Sequence, residues 1–160
     1  MLTDLIMDGL LAAVAGIGFG AISHPPRRAF LYIGILAAIG HALRFYLMKE
    51  IHVDIATASF CASLSIGLFS LWFGRVSYCP MTVLYIPALL PMVPGMYAYK
   101  SIFALIMFMQ HQKENLLAQK YMQELISNAL VTFSTVFLLA LGATLVIFFN
   151  PGKAYSMTRR

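Results

Sequence analysis

Charge is what this chain has least of. Only 11% of its 160 residues are charged, while 61% are hydrophobic; soluble domains carry roughly 25% charged residues. A soluble chain this short could not hide so much apolar surface, so the solvent for most of it must be lipid. Acidic residues are the scarcer sign, 6 against 11 basic ones, for a net charge of +5. The basic residues lie mostly between apolar runs, a pattern that reports membrane orientation. No basic cluster forms the soluble face that nucleic acid would need, so nucleic acid is excluded as a partner. Cysteine is sparse too: Cys61 and Cys79 show neither CxxC nor Cys/His spacing. That argues against a disulfide framework and against a metal site, and Cys61, inside an apolar run, reads as a small hydrophobe. GxGxxG, P-loop, HExxH and nucleophile-elbow signatures are missing, so no catalytic residue, no cofactor and no enzymatic activity are expected. The positive start of a secretory signal is missing as well. The early charges are Asp4 and Asp8, and the first apolar run is expected to stay as a membrane helix.

What is present is apolar length. A hydrocarbon core about 30 Å thick needs about 20 helical residues to cross it. Five runs qualify, at about 5–23, 29–48, 55–73, 81–109 and 125–149, and the last stops at Asn150-Pro151-Gly152. The expected fold is an all-α polytopic membrane helix bundle: a single integral-membrane domain over 1–160, with about five transmembrane segments and a proline-broken fourth helix. Between the fourth and fifth runs, 110–124 alternates Leu116, Leu117 and Tyr121 with Gln110, Lys113, Glu114, Lys120 and Gln123. This amphipathic connector either lies in the interface or extends a flanking helix. Arg27, Arg28, Arg75, Lys153, Arg159 and Arg160 gather on one side of a five-span topology, which puts the C-terminus inside and the N-terminus outside.

The fourth run holds "YIPALLPMVPGMYAYK" at 85–100. Pro87, Pro91 and Pro94 each lack an amide proton and crowd the preceding turn, and Gly95 adds backbone freedom. Carbonyls at Pro87, Ala88, Leu90 and Met92 then lose their intrahelical donors. In hydrocarbon each orphan costs several kcal/mol unless protein or a wet cavity supplies a partner. P-x-x-P-G reads as a functional break, with a packing kink as the alternative. A helix restarting at Pro94-Gly95-Met96 would aim the amides of Gly95, Met96 and Tyr97 at an anion, as the discontinuous helices of secondary transporters do.

In "YIGILAAIGHALRFYLMKE", His41 and Arg44 are three apart and share a helix face. Arg44 either snorkels to the nearby interface or lines a polar interior; His41 either packs through a hydrogen bond or relays protons. Acidic residues are expected only at the margins of the spans, so the deep ionisable groups would be basic: His41, Arg44 and Lys100. Such an interior suits a carboxylate-bearing substrate. Tyr99 is read as a substrate contact and Tyr97 as part of an interfacial aromatic belt. Gly16 and Gly20, with Thr57, Ser59, Ser63, Ser65 and Gly67, are read as close helix packing with hydroxyl cross-links.

"IGHALRFYLM", "ATASFCASLSIGLFS" and "IPALLPMVPGMYAY" resemble the bacterial threonine/serine exporter family. The likeness is to its short integral-membrane subunit, a group that includes a subunit of a two-component succinate exporter. The resemblance implies an inner-membrane exporter of small metabolites, with hydroxy amino acids or a C4 dicarboxylate as substrate. It also implies a longer membrane subunit of the same family as partner; the small size of a five-helix unit leaves homo-oligomers open too. The candidate substrate site is His41, Arg44, Pro94, Gly95, Met96 and Tyr99. The alternative is a non-transporting scaffold or assembly subunit, with the amphipathic connector as its docking element.

Overall fold

A computed structural model describes residues 2–149. The Asn150-Pro151-Gly152 stop and the basic Lys153, Arg159 and Arg160 lie outside the described residues. Six α-helices follow in order: α1 (Leu2–Ile22), α2 (Arg27–Lys49), α3 (Ile55–Ser77), α4 (Met81–Leu89), α5 (Gly95–Gln110) and α6 (Asn115–Phe149), with a 3₁₀ turn at Leu90–Met92 after α4. Four helices are long and apolar enough to cross a membrane, and the broken pair Met81–Met92 and Gly95–Gln110 makes a fifth if it counts as one span. The protein is therefore an all-α membrane helix bundle with a proline-broken fourth segment. Its contacts divide it into two compact units, one of residues up to 92 together with those from 138 on, the other Val93–Phe137.

The helix boundaries have local causes. α2 begins directly after Pro25-Pro26, with Pro26 extended at φ −60° and ψ 144°, a conformation that a prolyl ring pre-sets. α3 begins at Asp54, whose carboxylate accepts from the Thr57 amide at 2.9 Å and from the Thr57 hydroxyl at 2.6 Å. Such a cap is worth about 1 kcal/mol. The Thr57 hydroxyl, and after it the Thr57 amide, hold the Asp54 carboxyl below the usual carboxylate range. α3 ends where Tyr78 turns left-handed at φ 53° and the Cys79 amide reaches back to the Gly74 carbonyl at 3.1 Å. That is a Schellman closure, and Pro80 behind it prevents continuation.

The core of the first unit joins Ile33, Leu36 and Ala37 of α2 to Ala62 and Ile66 of α3. Met81, Leu84 and Ala88 of α4, Met92, and Leu139 and Ala143 of α6 complete it. Small residues let the backbones approach. A Cβ on Gly142 would sit 2.9 Å from the Phe60 carbonyl oxygen, and one on Gly16 would sit 2.8 Å from the Ala37 Cβ. The expected hydroxyl cross-links are few. Ser59, Ser65, Ser70 and Ser77 donate to carbonyls of their own helix, and among these serines and the described residues Ser63 alone also approaches another helix, at the Leu138 carbonyl, 3.5 Å away.

In the second unit α5 ends at His111, whose amide and Nδ1 both reach the Met107 carbonyl, at 3.1 and 2.9 Å. Residues 115–124 are the first turns of α6 and form no separate element. At 1.5 Å per residue the 35 residues of α6 extend about 52 Å, well beyond one hydrocarbon thickness.

Candidate functional site

The upstream edge of the break is met by a basic side chain. α4 tightens into the 3₁₀ turn at Leu90–Met92 and the helix stops; Val93 and Pro94 are non-helical. This strands the Met92 carbonyl, as the loss of amide partners predicts. Arg44 of α2 meets it: Nη1 donates to the Met92 oxygen at 2.6 Å. Arg44 is half-buried and turned onto the chain's own broken backbone. A hydrogen bond from a charged donor is worth roughly 1.5–3 kcal/mol.

His41, one turn before Arg44, faces α1. Its Nδ1–H donates to Oδ2 of Asp8 at 2.6 Å, with the two side chains 21% and 31% exposed. Asp8, His41, Arg44, Phe45 and Met48 line a cavity of about 190 Å³, room for about six waters at roughly 30 Å³ each. The expectation that acidic groups sit only at the margins is corrected here: Asp8 lies within α1 and directly on His41. The physical reason is the face of α1 packed on α2. Asp4, Asp8, Ala12, Gly16 and Gly20 recur every four residues. Gly20 lies against Ile33 and Gly16 against Ala37, Asp8 meets His41, and Asp4 meets Lys49 at 3.1 Å. Two antiparallel helices in contact through small residues carry both aspartates onto the basic stripe of α2. The step of four was readable in the sequence.

The downstream residues differ. Pro94 is buried, and Gly95, Met96 and Tyr99 are exposed on the first turns of α5. Two of the three amides expected to be free are engaged. Gly95 N–H donates to the Val93 carbonyl at 2.8 Å and Tyr97 N–H to the Pro94 carbonyl at 3.1 Å. The cause is the tight turn around Pro94, which supplies its own acceptors. Tyr99 stacks on Phe103 with centroids 6.3 Å apart, and Lys100 is exposed on α5. His41 and Arg44 belong to the first unit; Pro94, Gly95, Met96 and Tyr99 belong to the second.

A bundle of apolar helices with an interrupted span, a basic side chain on the interruption and an ionisable pair in a small cavity beside it describes a polytopic membrane protein. A profile described as "Threonine/Serine exporter, ThrE" matches residues 8–149. The chain belongs to the threonine/serine exporter family. It is also 29% identical over 137 residues to an uncharacterized protein of Haemophilus influenzae, a match that covers 86% of this chain and 46% of the relative. The chain thus spans about half the length of that curated relative. No solved structure matches.

Proposed function

We propose that this chain is a subunit of a secondary transporter that exports small carboxylate-bearing metabolites, threonine and serine or succinate, across a bacterial inner membrane. The observation that carries this reading is the Arg44 guanidinium on the Met92 carbonyl at the broken helix, beside the cavity of Asp8 and His41. A charged side chain held within an apolar helix bundle is costly and marks a functional site by default, and an arginine fork suits a carboxylate. His41 and Arg44 form the core of the proposed site in the first unit, and Pro94, Gly95, Met96 and Tyr99 are proposed as substrate contacts of the second unit in their own right. Because the matched relative is about twice as long, the working transporter is proposed to include a longer membrane subunit of the same family, further copies of this chain, or both.

The test is efflux of threonine, serine and succinate from loaded cells lacking this gene and its genomic neighbour. The proposal expects slowed efflux of at least one of the three; unchanged efflux of all three would sink it. A second reading, an assembly subunit without a site of its own, draws on the open apolar groove of about 690 Å³ in the second unit, lined by Phe108, Met122, Ile126 and Leu130 among others. Arg44→Gln separates the two: lost export with the complex intact supports a site, and lost assembly supports a scaffold.

A further inference from the structure

Both basic groups of the cavity are already engaged by acceptors of the chain itself. Arg44 holds the Met92 carbonyl at 2.6 Å. His41 holds the Asp8 carboxylate, also at 2.6 Å. The two acceptors are unequal. A carbonyl is neutral, and a carboxylate makes a stronger, shorter bond to guanidinium than a carbonyl does, so an entering acid competes with Met92 for Arg44. Asp8 is itself a carboxylate and occupies the imidazole as fully as a substrate would.

We propose that Asp8 is an internal competitor for the transported acid: its carboxylate holds, on His41, the place that the substrate carboxylate takes when the site fills. The inference rests on the exporter reading and deepens it. Two carboxylates cannot share one small basic site without strong repulsion. Asp8 and the substrate therefore exclude one another within the cavity of about 190 Å³. Asp8 stands on α1, while His41 and Arg44 stand on α2, so filling the site frees α1 from its polar tie to α2 at this level. The pair Asp4–Lys49, nearer the start of α1, is exposed, and a surface pair of this kind adds little. Competition of this sort serves an exporter: it weakens binding and speeds release, because Asp8 returns to His41 as the acid leaves.

The test uses the full chain, produced with its genomic neighbour and held in lipid nanodiscs, with succinate and L-threonine as separate probes. Asp8→Asn keeps the shape of the side chain and removes the competing charge. Of the probes the wild type binds, Asp8→Asn is expected to bind at least one about ten-fold more tightly, with KM and kcat for its export falling together as release slows. Asp8→Glu, which restores a carboxylate, should bind near wild-type strength. Unchanged or weaker binding of every probe by Asp8→Asn overturns the inference. Should Asp8→Asn fail to fold, the wild type decides. Saturating it with the bound probe must shift the His41 imidazole NMR resonance, and a resonance that stays in place overturns the inference. The exporter reading fails separately: if wild type and Arg44→Gln handle both probes identically, the site itself is wrong. If Arg44→Gln abolishes binding while Asp8→Asn leaves it unchanged, only the competitor role is wrong.

Discussion

The two edges of the broken helix solve the same problem in opposite ways. Upstream, the stranded Met92 carbonyl is capped from another helix by a charged side chain. Downstream, the amides of Gly95 and Tyr97 are capped within three residues by Val93 and Pro94. The physics explains the asymmetry. Proline removes donors and leaves carbonyls, so the upstream edge is short of protons and attracts a cation. A tight turn around Pro94 supplies carbonyls directly before the restarting helix, so the downstream edge is nearly self-sufficient. The difference teaches that the charge held at this break is a side chain recruited to a carbonyl, and that the proposed site leans on it more than on a helix dipole.

The largest expected effect falls on the upstream edge. Arg44→Gln removes a charged hydrogen-bonded contact, a loss that typically costs roughly 2–5 kcal/mol, and export of the transported acid should drop by at least about thirty-fold with the complex still assembled. Transport kinetics beside size-exclusion of the complex would check it. Next come two identical substitutions on opposite edges. A Cβ on Gly40 would lie 2.6 Å from Met92 Cε and 2.7 Å from Ile66 Cγ1, whereas one on Gly95 meets nothing within 4 Å. Gly40→Ala should destabilise by about 1–3 kcal/mol through overpacking, and Gly95→Ala should be neutral or stabilise by up to about 1 kcal/mol. Thermal unfolding in lipid would show whether the edges differ as stated; equal shifts would break the comparison.

A reference point away from both edges is the α3 cap. Asp54→Ala should cost about 1 kcal/mol near neutral pH. The Thr57 contacts hold the Asp54 carboxyl below the usual carboxylate range. Its stabilising share is therefore complete above that range and lost as pH falls through the lowered folded value. The gap between variant and wild type, followed by denaturation against pH, should close in acid. Smallest is Tyr99→Phe. Its ring is exposed and stacked on Phe103, and losing one hydroxyl hydrogen bond costs about 0.5–1.5 kcal/mol. Its effect on export should stay well below that of Arg44→Gln.

Much of this was legible before any coordinates. Run length and scarce charge give the apolar helices, and three prolines with Gly95 place the interruption. The i, i+3 spacing puts His41 and Arg44 on one face. Asp8 escaped because its meaning depends on which face of α1 meets α2. The stripe Asp4, Asp8, Ala12, Gly16, Gly20 had been read only at its glycine end, as packing. The engagement of the Gly95 and Tyr97 amides escaped for a different reason. Whether a turn folds back on its own carbonyls depends on backbone angles around Val93 and Pro94 that residue types do not specify.

The most direct measurement compares export by Arg44→Gln and by Tyr99→Phe in the same proteoliposomes, loaded with the acid that the wild type carries. The account predicts that the arginine variant loses at least about two times more rate than the tyrosine variant, with both proteins correctly assembled. Equal losses, or a larger loss at Tyr99, would contradict it and move the functional charge to the other side of the break.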